Sequence, residues 1–566
     1  IMMMNSRSII LVFVIILAWF PLFFPRAFVS WDDHENYTKH PQLSKSIISL
    51  NDVISILITP VLGTIEPFAN IIKLLVVILT GWKPKLSSAR AFLVTNLLFH
   101  AINTVLIAKL TTVRLLYRYK KKLQWNRFNL IIPIFFAIHP LRVECIAWAS
   151  CLPYQLATFW CLLGCILHET KYTRTNTIYK AFFFLFAISS KASSITVPLA
   201  LFALDYIHEL QKTGKHLLFP SINRNAGSLL IMFGGITAAI LANQESPPVP
   251  NFTFSKRIVR ASYSFWFYII KTILPYDLNV IYILPLGSIN GLNIIETPHT
   301  PGWIPLGIPL IVTCVVLLWS VKVLLFSLPR SSGTETTSTT KTSTMSKKKQ
   351  SPIMKSITKN KSIVNKDRAT SSTNTPESLP STIPTVSQRW ATLTILYTIV
   401  LLPCFGFVQH GYLTMAADRY SYLVSAIVLV PFITIELDLF MSYYSSSLIF
   451  RKKIGTLNKN KKIHSKVLTI VGFVLIGIYT TQMRKQMGIW RTSTTLWEHA
   501  VTLQPRSIEL TGNLAQAYLH ALRPKKAILT YKKALAMGSS SDNNESVESA
   551  DLYHMYGEAL KKSEST

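Results

Sequence analysis

The sequence predicts an all-α, polytopic membrane protein that ends in a short soluble stack of helices. Three observations predict it. Half of the 566 residues are hydrophobic and the mean hydropathy is +0.34, too apolar for a single soluble core. The apolar residues come in blocks of roughly bilayer-spanning length, about 20 residues, rather than in amphipathic stripes. Beyond about residue 484 the pattern changes to that of soluble helix, punctuated by Ala and Tyr.

About eleven spans are expected. They lie near 8–27, 91–110, 129–147, 152–168, 180–190 leading into 193–208, 227–243, 303–327, 391–408, 419–440 and 466–482. The first run has no convincing small-residue cleavage site and is long for a signal sequence, so it is read as an uncleaved anchor. Ser189, Ser190 and Lys191 interrupt the run 180–208 and predict a tight turn between two short helices. The stretches 52–81 and 257–274 are apolar but broken by charges, which suits helices lying in the membrane interface.

The net charge of +32 would point to nucleic acid in a soluble protein. Here the Lys and Arg residues fall mostly in the connections between apolar blocks, a distribution that membrane orientation explains without a nucleic-acid partner. The connections Arg114 to Arg127, Lys171 to Lys180, Lys212 to Arg224, 329–388 and Arg451 to Lys466 are the basic ones, so they and the chain before the first span are expected in the cytosol. The alternate segments then face the lumen: 28–90, the region around 140–151, Lys191, 244–300, 409–418 and everything after about 483. This divides the chain into a membrane domain over 1–328, a disordered Ser, Thr and Lys linker over 329–388, the last three spans within 389–484 and luminal helices over 485–566. The six cysteines lie in or beside apolar segments and read as small buried hydrophobes, with Cys145 and Cys151 the one pair placed to bridge. Sequons at Asn36, Asn251 and Asn544 fall on the luminal side, against Asn360 in the linker.

In the C-terminal region Leu514, Ala515, Tyr518, Ala527, Tyr531 and Ala534 stand at the spacings of a 34-residue tetratricopeptide frame over 508–541. Trp497, Ala500 and Pro505 continue the register backward, and Tyr556 to Leu560 opens another unit. One complete repeat with two partial ones is fewer than the three that usually make a stable array, so these helices are expected to lean on the membrane domain or on another chain. A groove for an extended polypeptide is the functional reading, and capping of the membrane domain the plainer one.

The candidate site begins at Asp32 and Asp33, directly after the first span. On their own they could simply mark where the helix leaves the lipid. The charge-derived topology puts Asp32, Asp33, His139, Glu144, Lys191 and Arg419 on one side of the membrane, although they come from four distant parts of the chain. Sugar transfer from a lipid phosphate needs a base for the acceptor hydroxyl and cations for the departing phosphate. Asp32 or Asp33 suits the first role, Arg419 and Lys191 the second, with His139 and Glu144 positioning the acceptor or shaping the pocket. Each has a plainer reading: Lys191 as an interfacial snorkeller, His139 as a cap before Pro140, Arg419 as an ion pair with Asp418. Oxygen ligands are concentrated at Asp32, Asp33, His34 and Glu35, but adjacent residues rarely all face one ion, so no metal is expected.

Several stretches together resemble a known family. They are Asp32-Asp33, Phe99-His100-Ala101-Ile102-Asn103, Ile138 to Trp148 with its His139-Pro140, Ser190-Lys191-Ala192 with Pro198 and Asp205-Tyr206, Met415 to Leu423 with its Asp418-Arg419-Tyr420, and Trp490-Arg491 leading to Ala500. In combination they resemble the transmembrane and tetratricopeptide-repeat O-mannosyltransferases and their bacterial relatives, over about residues 30–560 without the linker. The resemblance implies a GT-C glycosyltransferase fold, dolichyl phosphate mannose as donor, Ser or Thr hydroxyls of proteins as acceptors, inversion by a single displacement and residence in the endoplasmic reticulum membrane. The alternatives are a non-catalytic membrane adaptor whose repeats recruit partners, and a transporter, which the span number would suit but for the lack of a visible inverted repeat.

Overall fold

The computed structural model describes residues 6–43, 45, 49–82, 88–119, 128–170, 172–243, 254–283, 307–326, 384–407, 414–452, 459–539 and 546–564. Asn251, Asn360, Asn544 and the body of the expected linker lie outside these residues.

The first helix, α1 (Ser6–Ala18), is shorter than the span expected over 8–27. Pro21 enforces the stop: it lacks an N–H and its ring crowds the preceding turn, so the chain passes into a 3-10 turn over Phe20–Phe23. A hairpin follows, α2 (Leu50–Ile58) and α3 (Pro67–Thr80), where interfacial helices are expected. Ser49 and Asp52 form a reciprocal capping box at the start of α2, and Gly81 in the left-handed region closes α3.

The central strut is α4 (Arg90–Tyr117), 28 residues long. After it come α5 (Phe128–Ala137), α6 (Val143–Ala147) and α7 (Leu152–Glu169). Between α5 and α6 the path bends by 56° at the His139-Pro140 step. His139 is extended there, as a residue before proline tends to be. Next are α8 (Arg174–Ser190) and α9 (Val197–Thr213), broken at Lys191 as the interrupted run predicts. Helices α7 and α8 touch at Gly164, where an added Cβ would meet Phe184 Cζ at 2.9 Å.

The chain continues through α10 (Phe219–Asn243), α11 (Phe254–Ile273), α12 (Gly307–Phe326), α13 (Val386–Leu401), α14 (Ser421–Val424), α15 (Val430–Lys452) and α16 (Lys459–Ile489). Thr385 and Gln388 form the capping box that starts α13, so helix begins just before the linker boundary expected at 388. The one sheet among the described residues is a short antiparallel pair, Tyr282–Ile283 with Thr414–Ala416.

Among the described residues, four helical stretches are long and apolar enough to cross a membrane: 90–117, 149–169, 308–326 and 418–443. The bent pair 130–137 with 140–147 makes a fifth if counted as one span. Several of the other expected spans fall on helices too short to cross the full hydrocarbon core. At 17 residues, α8 and α9 reach about 26 Å against a hydrocarbon core of about 30 Å.

The C-terminal region is helical throughout its described residues: α17 (Ser493–Leu503), α18 (Ile508–His520), α19 (Pro524–Ser539) and α20 (Ser546–Glu564). Ala515, Ala527, Tyr531 and Ala559 are buried together, small residues allowing close approach of the helices. The region leans on the rest of the chain, as its small size requires. Trp497 is fully buried with its ring 5.4 Å from Trp31, Ser493 Oγ accepts from the Ser30 N–H at 2.8 Å, and His499 bonds the Leu278 carbonyl at 3.0 Å.

Candidate functional site

The site is assembled at one end of the bundle, where α4 and α7 begin and α8 ends. Asn96 on α4 donates to the Trp148 carbonyl at 2.9 Å and the Tyr37 hydroxyl to the Ala149 carbonyl at 2.7 Å, so the 138–151 segment is tied to the loop carrying the paired acids. His100 and Asn103, conspicuous in the sequence, are struts. His100 lies between Tyr422 Oη at 2.8 Å and the Ala137 carbonyl at 3.0 Å, and Asn103 donates to the Gln155 carbonyl at 3.0 Å.

The two aspartates part company here. Asp33 is 1% exposed and accepts three bonds: Val29 N–H at 3.0 Å, Ser150 N–H at 2.9 Å and the Ser150 hydroxyl at 2.6 Å. Burial pushes its carboxyl up to about 7, against those hydrogen bonds, which favour the charged form. Asp32 is only half-buried, and among the described residues its carboxylate takes no hydrogen bond. Burial raises it to about 6, while the Arg419 guanidinium and the Lys191 ammonium, both within electrostatic reach, pull it down.

Arg419 is anchored by Glu144, which is itself 1% exposed. One carboxylate oxygen accepts the Arg419 backbone N–H at 2.6 Å and the other the guanidinium at 2.5 Å. Asp418 is not its partner, contrary to the plainer expectation, because Asp418 instead accepts the Tyr282 hydroxyl at 2.8 Å. The guanidinium lies over the Trp148 and Tyr420 rings, at 5.3 and 5.1 Å. Lys191 turns inward rather than toward solvent: it pairs with Glu66 and lies 5.0 Å from the Tyr154 ring centre. Burial disfavours its charged form, but Glu66 outweighs this and holds its pKa above the ordinary value.

His139 is not brought to this cluster. Its Nδ1 accepts the Leu141 N–H at 3.2 Å, capping the turn Pro140–Arg142, and its Nε2 bonds the Thr272 carbonyl at 3.0 Å. Asn36 is drawn into the loop: its Nδ2 donates to the Asp32 carbonyl at 3.0 Å and its Oδ1 accepts from Lys73 Nζ at 2.9 Å. A glycan on Nδ2 would break that arrangement.

Three residues that sequence reasoning passed over belong to the site: Glu66, Lys73 and Tyr154. Glu66 and Lys73 are, with Asp52, the charges of the apolar stretch 52–81, where they read as interfacial. Isolated charges in a mostly apolar segment are the available signal. Tyr154 carries none.

The arrangement offers one half-exposed carboxylate, two cations close to it and an aromatic wall. That set can take a proton from a neutral nucleophile and hold an anionic leaving group. No family model, curated protein or solved structure matches the chain.

Proposed function

We propose that the protein is a membrane glycosyltransferase that moves mannose from dolichyl phosphate mannose to Ser or Thr hydroxyls of proteins in the endoplasmic reticulum lumen. The observation that carries this is Asp32, a carboxylate left without hydrogen-bond donors beside Arg419 and Lys191. The resemblance of the motif set supplies the sugar and the lipid. Asp32 takes the proton of the acceptor hydroxyl as that oxygen bonds to the anomeric carbon, and the bond from that carbon to the phosphate oxygen breaks with inversion. Arg419 and Lys191 hold the dolichyl phosphate that leaves. Asp33 and Glu144 position the loops that carry Asp32 and Arg419.

On this reading the shorter helices, α8, α9 and α13 among them, also lie in the bilayer and bring the span number to about eleven. The C-terminal helices form tetratricopeptide-type units on the luminal side and present the acceptor polypeptide. The adaptor alternative gives Asp32 no task.

The test uses the full chain in microsomes supplied with dolichyl phosphate mannose and an acceptor polypeptide. Asp32→Asn is expected to lower transfer by about 10²- to 10⁴-fold, the usual contribution of a general base. Transfer at the unsubstituted rate would sink the assignment.

A further inference from the structure

The opposite end of α4 carries a second feature that sugar transfer does not use. The axis of α4 rises about 36 Å from Arg90 to Arg114, at ~1.5 Å per residue, more than the thickness of a hydrocarbon core. There the ends of α4 and α9, the 389–396 part of α13, Val428 and the start of α15 enclose a cleft. Its rim holds Arg114, Arg118 and Arg389, and its wall includes Leu396 and Phe432; among the described lining residues there is no carboxylate.

The acids that balance these cations stand behind them. Glu169 takes Arg114 Nε at 2.9 Å and Arg118 Nε at 2.5 Å, Asp205 takes Arg118 Nη2 at 3.1 Å, and Glu436 pairs with Arg389. None of the three lines the cleft, and although Arg114 Nη1 also donates to the Ile427 carbonyl and Arg389 Nη1 to the Pro384 carbonyl, Arg114 Nη2 and Arg118 Nη1 donate no hydrogen bond among the described residues. Gln211 adds a donor: its Nε2 is buried and has no hydrogen-bond partner in the structure. A ligand that satisfies this set has an anionic, hydrogen-bond-accepting head and an apolar body. A bilayer at this depth supplies one.

We propose that this cleft binds an anionic phospholipid of the leaflet opposite the Asp32 site, its phosphate against Arg114, Arg118 and Gln211 and its acyl chains along Leu396 and Phe432. The lipid fixes the junction of α4, α9, α13 and α15. This assignment depends on membrane embedding and not on the transferase reading.

The test takes the full chain purified in detergent, with phosphatidylserine, phosphatidylcholine and inorganic phosphate as probes. Retained lipid is read by native mass spectrometry and Tm by thermal unfolding. Phosphatidylserine is expected to stay bound and raise Tm, and the other two to do neither. Leu396→Trp, which fills the cleft, and Gln211→Leu, which removes the unpaired donor, are each expected to retain about fivefold less phosphatidylserine or lower, a loss near 1 kcal/mol. Two substitutions keep the test open if one fails to fold. Equal protection by phosphatidylcholine, equal protection by inorganic phosphate, or undiminished retention in the substituted proteins that fold would overturn the proposal.

Discussion

Asp33 reaches across 117 positions to accept both the backbone N–H and the hydroxyl of Ser150, at 2.9 and 2.6 Å. That clasp separates two acids that are neighbours in sequence. One fastens the first loop to the 138–151 segment, and the other is left facing the cations.

Substitution should therefore divide them. Asp33→Asn turns an amide N–H toward either Val29 N–H or the Ser150 donors, and a mispaired buried group costs about 1–3 kcal/mol. Asp32→Asn, which removes a half-buried charge and no hydrogen bond, should not lower the unfolding midpoint while it removes activity. Thermal unfolding in detergent beside the transfer assay distinguishes the two, and equal stability losses would contradict the division.

The pH dependence follows from Asp32. A base works deprotonated, and burial has raised this carboxyl to about 6, so transfer should rise with pH through about 6 and level off above it. Lys191 lowers the Asp32 pKa, and its removal also leaves Glu66 uncompensated, which raises it. Both effects have the same sign. Lys191→Met should move the midpoint upward in a pH–rate profile, and a downward move would contradict the electrostatic picture.

Sign also matters for stability. A carboxyl whose folded pKa lies above its unfolded value binds its proton more tightly in the folded state. For Asp32 and Asp33 the folded protein therefore loses stability as pH rises from about 4 through 6 to 7, and the loss is complete above that. Asp33→Asn removes one of the two titrating carboxyls, so its unfolding midpoint, though lower, should vary less with pH across this window than that of the unsubstituted protein.

Glu144 and Arg419 form a buried pair, and breaking one side strands the other. Glu144→Gln should cost about 3–5 kcal/mol, more than a surface pair would. A double-substitution cycle with Arg419→Gln reads the coupling directly, and additive losses would show that the pair is not the anchor.

The cores where the C-terminal helices meet the membrane domain make a further prediction. Trp497 is fully buried against Trp31, one residue before Asp32. Trp497→Ala should cost about 3–5 kcal/mol and expose the region after Ile489 to protease, with transfer falling as the acid loop loosens. Protease resistance equal to that of the unsubstituted protein would contradict the docking.

Much of this was legible in the sequence. The helical class, the break at Lys191 and the joint placement of Asp32, Glu144, Lys191 and Arg419 followed from apolar blocks and charge signs, whereas the 56° bend at His139-Pro140 did not, since it lies inside what reads as one continuous span over 129–147. The partner of Arg419 did not: adjacency favoured Asp418, whereas the short turn over Asp418–Tyr420 sends the two side chains to different neighbours. Nor did the end of α1, where an unbroken apolar composition hid the effect of Pro21. His139 looked chemical because histidine so often is, yet both its nitrogens serve the backbone.

The 56° bend at Pro140 leads the chain into a stretch, Glu144 to Ser150, that is buried from Glu144 to Ala149. Each end of that stretch is gripped by a residue from another part of the chain, Arg419 at one and Asp33 at the other. Its length is therefore a fixed ruler. A single residue inserted between the two grips would satisfy one and release the other, so this short strip should tolerate changes of side chain far better than changes of length.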